Sequence, residues 1–170
     1  RPLLMTDGVF PTFGVLAPLP DYLKILEPYG GTVALDDCHG VGVLGANGRG
    51  TVEHFGLSLG ERLVMAGTLS KAFGGHGGFV VGSKAFCAKI RTLGIYPGAT
   101  QSPTPAVAAS VKGIEIVKAR PEMRERLWTN VAAVKDGLRK MGFAMNDSPM
   151  PIVTWTMGTG EEMKAIQRAL

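Results

Sequence analysis

Two short clusters hold most of the side chains able to do chemistry. The first is Asp36-Asp37-Cys38-His39, which follows the apolar run Thr32-Val33-Ala34-Leu35. The second is Thr68-Leu69-Ser70-Lys71, which follows Leu63-Val64-Met65-Ala66 and leads into Gly74-Gly75. Both apolar runs read as buried strands. Each cluster therefore falls at a strand's carboxyl end, where open α/β sheets bind ligands. Between His39 and Lys71 lie 31 residues, positions 40 to 70, about the length of one crossover unit. Both strand ends can then reach one edge of the sheet.

Each cluster alone has an ordinary reading. A carboxylate pair after a strand serves as a helix cap or a surface turn, a lysine after Thr-x-Ser as a solvated residue, and the glycine-rich stretch 74–78 as a loop. No Walker lysine pattern occurs. Together the clusters suit a single aldehyde cofactor. A lysine amine can hold an aldehyde as an imine. A pyridine ring is an electron sink only while its nitrogen is protonated, and a carboxylate such as Asp36 favours that proton. His39 can hydrogen-bond a ring hydroxyl. Thr68 and Ser70 can offer hydroxyls and backbone N–H groups to a phosphate.

The elements that must position these residues alternate in type. Leu3-Leu4-Met5 reads as a strand before a turn at Asp7-Gly8. Leu19, Tyr22, Leu23 and Leu26 have helical spacing, and Gly30-Gly31 closes that helix. Gly40 to Gly50 holds five glycines and reads as a loop. Further strands are expected at 79–81 and 152–155. Helices are expected at 83–93 with Ser83 as N-cap, at 105–118, at 121–141 opening on Pro121, and from 161 onward. The pattern predicts an α/β fold, a three-layer sandwich with a mostly parallel sheet covered on both faces, with 33–35 and 63–66 at its centre. There is no internal repeat.

Apolar residues make up 45% and charged residues 19% of the 170-residue chain, a globular balance. No run approaches the roughly 18 apolar residues of a membrane helix, so no membrane association is expected. The net charge of +4 comes from scattered residues, which argues against nucleic-acid binding. Cys38 and Cys87 form neither a disulfide framework nor a metal-ligand spacing, and a cytoplasmic location is expected. Arg1-Pro2-Leu3-Leu4 shows no signal peptide and no initiator Met, and the expectation is that the natural chain starts upstream.

The runs DDCHGVGVLGANGRGTVEHFG (36–56) and GTLSKAFGGHGG (67–78), with the helical RPEMRERLWTNVAAVKDGLRKMGF (120–143), resemble the α-oxoamine synthases. These are pyridoxal 5′-phosphate (PLP) enzymes of the aspartate-aminotransferase fold. The resemblance implies PLP as cofactor and condensation of a small amino acid, such as glycine or alanine, with an acyl-CoA thioester. Carbon dioxide is lost and an α-oxoamine is formed. By position, Asp36 matches the residue that pairs with the pyridine nitrogen and His39 the one that contacts the ring hydroxyl. Lys71 matches the Schiff-base lysine and proton shuttle, and Thr68 a phosphate contact. Asp37 takes a structural role, and His54 and His76 take surface or packing roles. The resemblance also implies a homodimer with shared active sites. Residues 1–118 would belong to the PLP-binding large domain, and 119–170 would form a linking helix and the start of a small C-terminal domain.

Three departures from the family pattern stand out. Pro11 occupies a position where the family has a serine, leaving Thr12 as the nearby hydroxyl. Around residue 100 the family's run of hydroxyls for the neighbouring subunit's phosphate is altered, and Thr100 and Gln101 are the candidates here. The family's upstream stacking ring, glycine-rich phosphate loop and C-terminal arginine have no counterpart in these residues. Two other readings stay open: a different reaction on the same fold, such as transamination, and a truncated module that keeps the fold without catalysis.

Overall fold

The computed structural model describes residues 1–94, 101–154 and 158–169. Its strands and helices, in chain order, are β1 (Leu3–Asp7), β2 (Val9–Phe10), β3 (Val15–Leu16), α1 (Leu19–Leu26), β4 (Thr32–Asp36) and α2 (Thr51–His54). They continue as β5 (Leu63–Thr68), β6 (Gly78–Val81), α3 (Lys84–Arg91), α4 (Thr104–Ala119), α5 (Glu122–Lys140) and α6 (Gly160–Ala169).

The main sheet has the order β1-β4-β5-β6. β1, β4 and β5 run parallel, and β6 returns antiparallel along β5. β4 and β5 are central, as their apolar runs predict. A small hairpin of β2 and β3 stands apart from this sheet. Its strands have two residues each, too short for alternation to announce them.

Strand alternation sorts the side chains by face. Val33, Leu35, Leu63 and Met65 point into a core with Ala17, Leu19, Val41 and Val52, and α1 lays Tyr22, Leu23 and Leu26 against it. The opposite face carries Leu3, Met5 and Val80, which are 61%, 76% and 49% exposed. The mostly parallel α/β sheet is thus present. The second covering layer of a three-layer sandwich is not supplied by the described residues.

Local chemistry explains several element ends. Pro18 precedes α1, and Gly30 closes the turn after it in the left-handed region at φ 58°. Arg62 staples that helix end to the start of β5, donating to Leu23 O at 2.6 Å and pairing with Glu27 at 3.1 Å. Ser83 Oγ accepts from Phe86 N at 3.1 Å, the N-cap expected for α3. Thr159 and Glu162 exchange hydrogen bonds at the start of α6, a capping box.

The strand expected over 152–155 is not formed at 152–154. This stretch is held by side chains instead. Thr154 Oγ1 donates to Phe13 O in the hairpin, and Ile152 packs beside Val9, Leu44 and Met150. Trp155 lies outside the described residues. α2 was not expected, because its single turn follows directly on the glycine-rich loop. Among the described residues no helix is long and apolar enough to cross a membrane.

Candidate active site

The carboxyl ends of β4 and β5 lie side by side, with Asp36 paired in register to Ala66. The two clusters predicted from the sequence meet there. Lys71 Nζ sits 3.0 Å from His39 Nε2. With the imidazole proton on Nδ1, the amine donates and the ring accepts. Lys71 is exposed and His39 half-buried, so the pair lines an open edge rather than the core.

Asp36 ends β4 with its carboxylate exposed. Its Oδ1 accepts from Cys38 N at 3.0 Å and from Cys38 Sγ at 2.6 Å. Burial, and then the neighbouring Asp36 carboxylate, push the Cys38 thiol above its usual range, which keeps the sulfur protonated as a donor. Among the described residues no donor reaches Asp36 Oδ2. Asp36 also borders a cavity of about 580 Å³ with Thr6, Asp7, Phe10 and Ala66 among its walls.

Thr68, the last residue of β5, bonds Ser70 through both its hydroxyl (2.7 Å) and the Ser70 amide (3.2 Å), and its Oγ1 donates to Gly77 O. This small knot lies in the segment between the end of β5 and Lys71. Gln101 is exposed. Its neighbour Ser102 passes close to Gly77, which brings this segment beside the 68–77 loop. Thr100 lies outside the described residues. Thr12 is exposed near the tip of the β2–β3 hairpin. His76 is exposed, and His54 stacks edge-on against Phe55.

Sequence reasoning did not foresee the Cys38 contacts or the partner of Asp37. Strand alternation sends Asp37 to the opposite side from Asp36, where it is fully buried and bonded to Thr51. That alternation is the signal that could have separated the two carboxylates.

The sequence profile of the aminotransferase class I and II family matches residues 1–170. The chain belongs to that family. As an aminotransferase class I and II member it is 43% identical to 8-amino-7-oxononanoate synthase 1 of Bacillus velezensis over 169 residues, 99% of this chain and 43% of the relative. It is also 43% identical to 8-amino-7-oxononanoate synthase of Symbiobacterium thermophilum, over 98% of this chain and 42% of that one. The chain thus spans somewhat over two fifths of the length of these relatives.

Among solved structures, this class I and II chain superposes on serine palmitoyltransferase of S. paucimobilis with TM-score 0.83 and 31% identity, over 94% of this chain and 42% of that one. That enzyme was solved with a bound PLP–myriocin aldimine. An 8-amino-7-oxononanoate synthase from Francisella tularensis shares the fold with TM-score 0.80 at 23% identity, over 99% of this chain and 51% of that one.

Proposed function

We propose that this protein is a PLP-dependent acyltransferase that condenses a small amino acid with an acyl-CoA thioester. Carbon dioxide and free coenzyme A leave, and an α-oxoamine remains. The observation that carries this reading is the Lys71–His39 pair at the sheet edge where β4 ends on the exposed Asp36. The relatives named 8-amino-7-oxononanoate synthase support it.

The residues present fit PLP. Lys71 is an accessible primary amine, and the open Oδ2 of Asp36 is an anionic acceptor for a ring N–H. Thr68 and Ser70 carry hydroxyls that now bond one another and can turn toward an anion. When bound, PLP supplies a sink for the electrons left on the amino acid's α-carbon. Lys71 Nζ is the amine that holds its aldehyde and later carries protons. His39 Nε2 orients that amine and can accept its proton across the 3.0 Å contact. Asp36 keeps the pyridine nitrogen protonated, and the two Cys38 donors on Oδ1 hold the carboxylate in place.

Thr100 and Gln101 are proposed to reach the phosphate across a homodimer interface. Residues 1–118 and 119–170 are proposed as part of the large domain and as the link into the small one. A cytoplasmic location fits these substrates.

The test is direct. Protein mixed with PLP should gain a visible absorbance band, and borohydride should fix the cofactor onto Lys71, read by peptide mass mapping. Glycine or alanine should change the band, and added acyl-CoA should then release coenzyme A and carbon dioxide. Absence of fixation at Lys71 overturns the reading. Release of a keto acid without coenzyme A would instead identify transamination.

A further inference from the structure

Asp37 is a fully buried carboxylate that the mechanism above does not use. It sits between two residues that the mechanism does use, one after Asp36 and two before His39. We infer that Asp37 is a positioning residue: its side chain, clamped on Thr51, holds the 36–40 turn so that Asp36 and His39 face one ligand. The inference rests on the PLP reading of the site.

Four observations carry it. Oδ2 accepts from Thr51 N at 2.7 Å, and Oδ1 accepts from Thr51 Oγ1, so both oxygens are committed to the first residue of α2. The Asp37 backbone ties the same turn in two further directions. Its N–H donates to Ala66 O at 2.9 Å, extending the ladder onto β5, and its carbonyl accepts from Gly40 N and Val41 N at 3.1 Å each. The space is also closed. A Cβ at Gly8, Gly40 or Gly50 would run into the Asp37 carboxylate, so three segments converge on it without side chains between. Finally, α2 is itself pegged. Glu53 accepts from Asn47 N and Arg49 N at 3.0 Å each and from Asn47 Nδ2 at 2.7 Å, fastening the glycine-rich loop to the helix that Asp37 grips.

The turn bearing Asp36 and His39 is therefore fixed from the core side, while both functional groups emerge on the accessible side. A buried carboxylate with two hydrogen bonds is a stiff anchor. A displacement of about 1 Å at the reacting groups can lower rates by one to two orders of magnitude.

The experiment compares PLP fixation by borohydride in the full chain and in Asp37→Ala, Asp37→Asn, Thr51→Val and Thr51→Ser. The readout is the rate of labelling at Lys71 relative to Lys84 in α3, measured below saturating PLP. Asp37→Ala and Thr51→Val should lower that ratio by about tenfold. Asp37→Asn, whose Oδ1 can accept from Thr51 N while its Nδ2 donates to the Thr51 hydroxyl, and Thr51→Ser, which keeps both bonds, should stay within about twofold. Melting curves run alongside. Equal ratios in all five proteins would overturn the inference while leaving the PLP reading standing. Loss of the cooperative transition in both Asp37→Ala and Thr51→Val would make the clamp purely structural and also overturn it. Unselective labelling in the unmutated chain would instead remove the PLP reading and the inference with it.

Discussion

Lys71 Nζ and His39 Nε2 stand 3.0 Å apart although they are 32 positions apart in the chain. Parallel pairing of β4 with β5 closes that gap, because both residues leave the sheet at the same edge. His39→Phe keeps a ring but removes the acceptor. A hydrogen bond to a charged group contributes about 1.5–3 kcal/mol, so PLP fixation at Lys71 should slow by roughly tenfold or more. Labelling kinetics measure this, and an unchanged rate would remove His39 from its role.

Asp36→Asn separates holding the cofactor from using it. Oδ1 can still accept both Cys38 bonds, so the turn should keep its shape. The negative charge proposed to pair with the pyridine nitrogen is lost. Fixation at Lys71 should persist while turnover falls by at least about tenfold, the scale of one charge-assisted hydrogen bond. Coenzyme A release, normalised to labelled Lys71, is the measurement. Undiminished turnover contradicts the assignment.

Burial pushes the Asp37 carboxyl up to about 6 from its usual 3.8, against the opposing pull of the Thr51 hydrogen bonds and with a small push from Asp36. The folded chain then holds this proton more tightly than the unfolded chain does. The group's contribution to stability is full below about pH 3.8 and is lost as pH rises through about 6. Its size is on the order of 3 kcal/mol between those limits. Melting temperature should therefore decline across this window, and the decline should flatten in Asp37→Asn. Parallel profiles for the two proteins would contradict the sign.

Leu35 immediately precedes Asp36 and is only 2% exposed in the core. Leu35→Ala should destabilise the chain by about 2–5 kcal/mol through lost burial and the cavity left behind. Chemical denaturation measures it, and a loss under about 1 kcal/mol would show that β4 does not anchor the site as described.

Ser83→Ala tests a local feature that both sequence and structure contain. The hydroxyl satisfies Phe86 N at the start of α3, so its removal should cost about 1 kcal/mol. Hydrogen exchange at Phe86 reports that loss independently of the global transition. Unaltered protection there would show that the cap contributes nothing.

What the sequence determined by itself is local or periodic. The apolar runs at 32–35 and 63–66, the Ser83 cap and the glycine-rich 40–50 loop depend on near neighbours, and all four are present. The motif residues Asp36, His39, Thr68 and Lys71 could be proposed from the sequence because chemistry restricts which residue types can serve, and resemblance placed them in register. Tertiary structure decided what depends on distant partners. It set the antiparallel return of β6, the side-chain anchoring of 152–154 in place of a strand, and the pairing of Thr51 with Asp37 across 14 positions. It also gave adjacent carboxylates opposite fates. Asp36 and Asp37 are chemically identical in the sequence, but strand alternation sends one to an open edge and the other into the core. The alternation puts Asp37 on the face of Val33 and Leu35, and the packing of α1 and α2 on that face makes it the core.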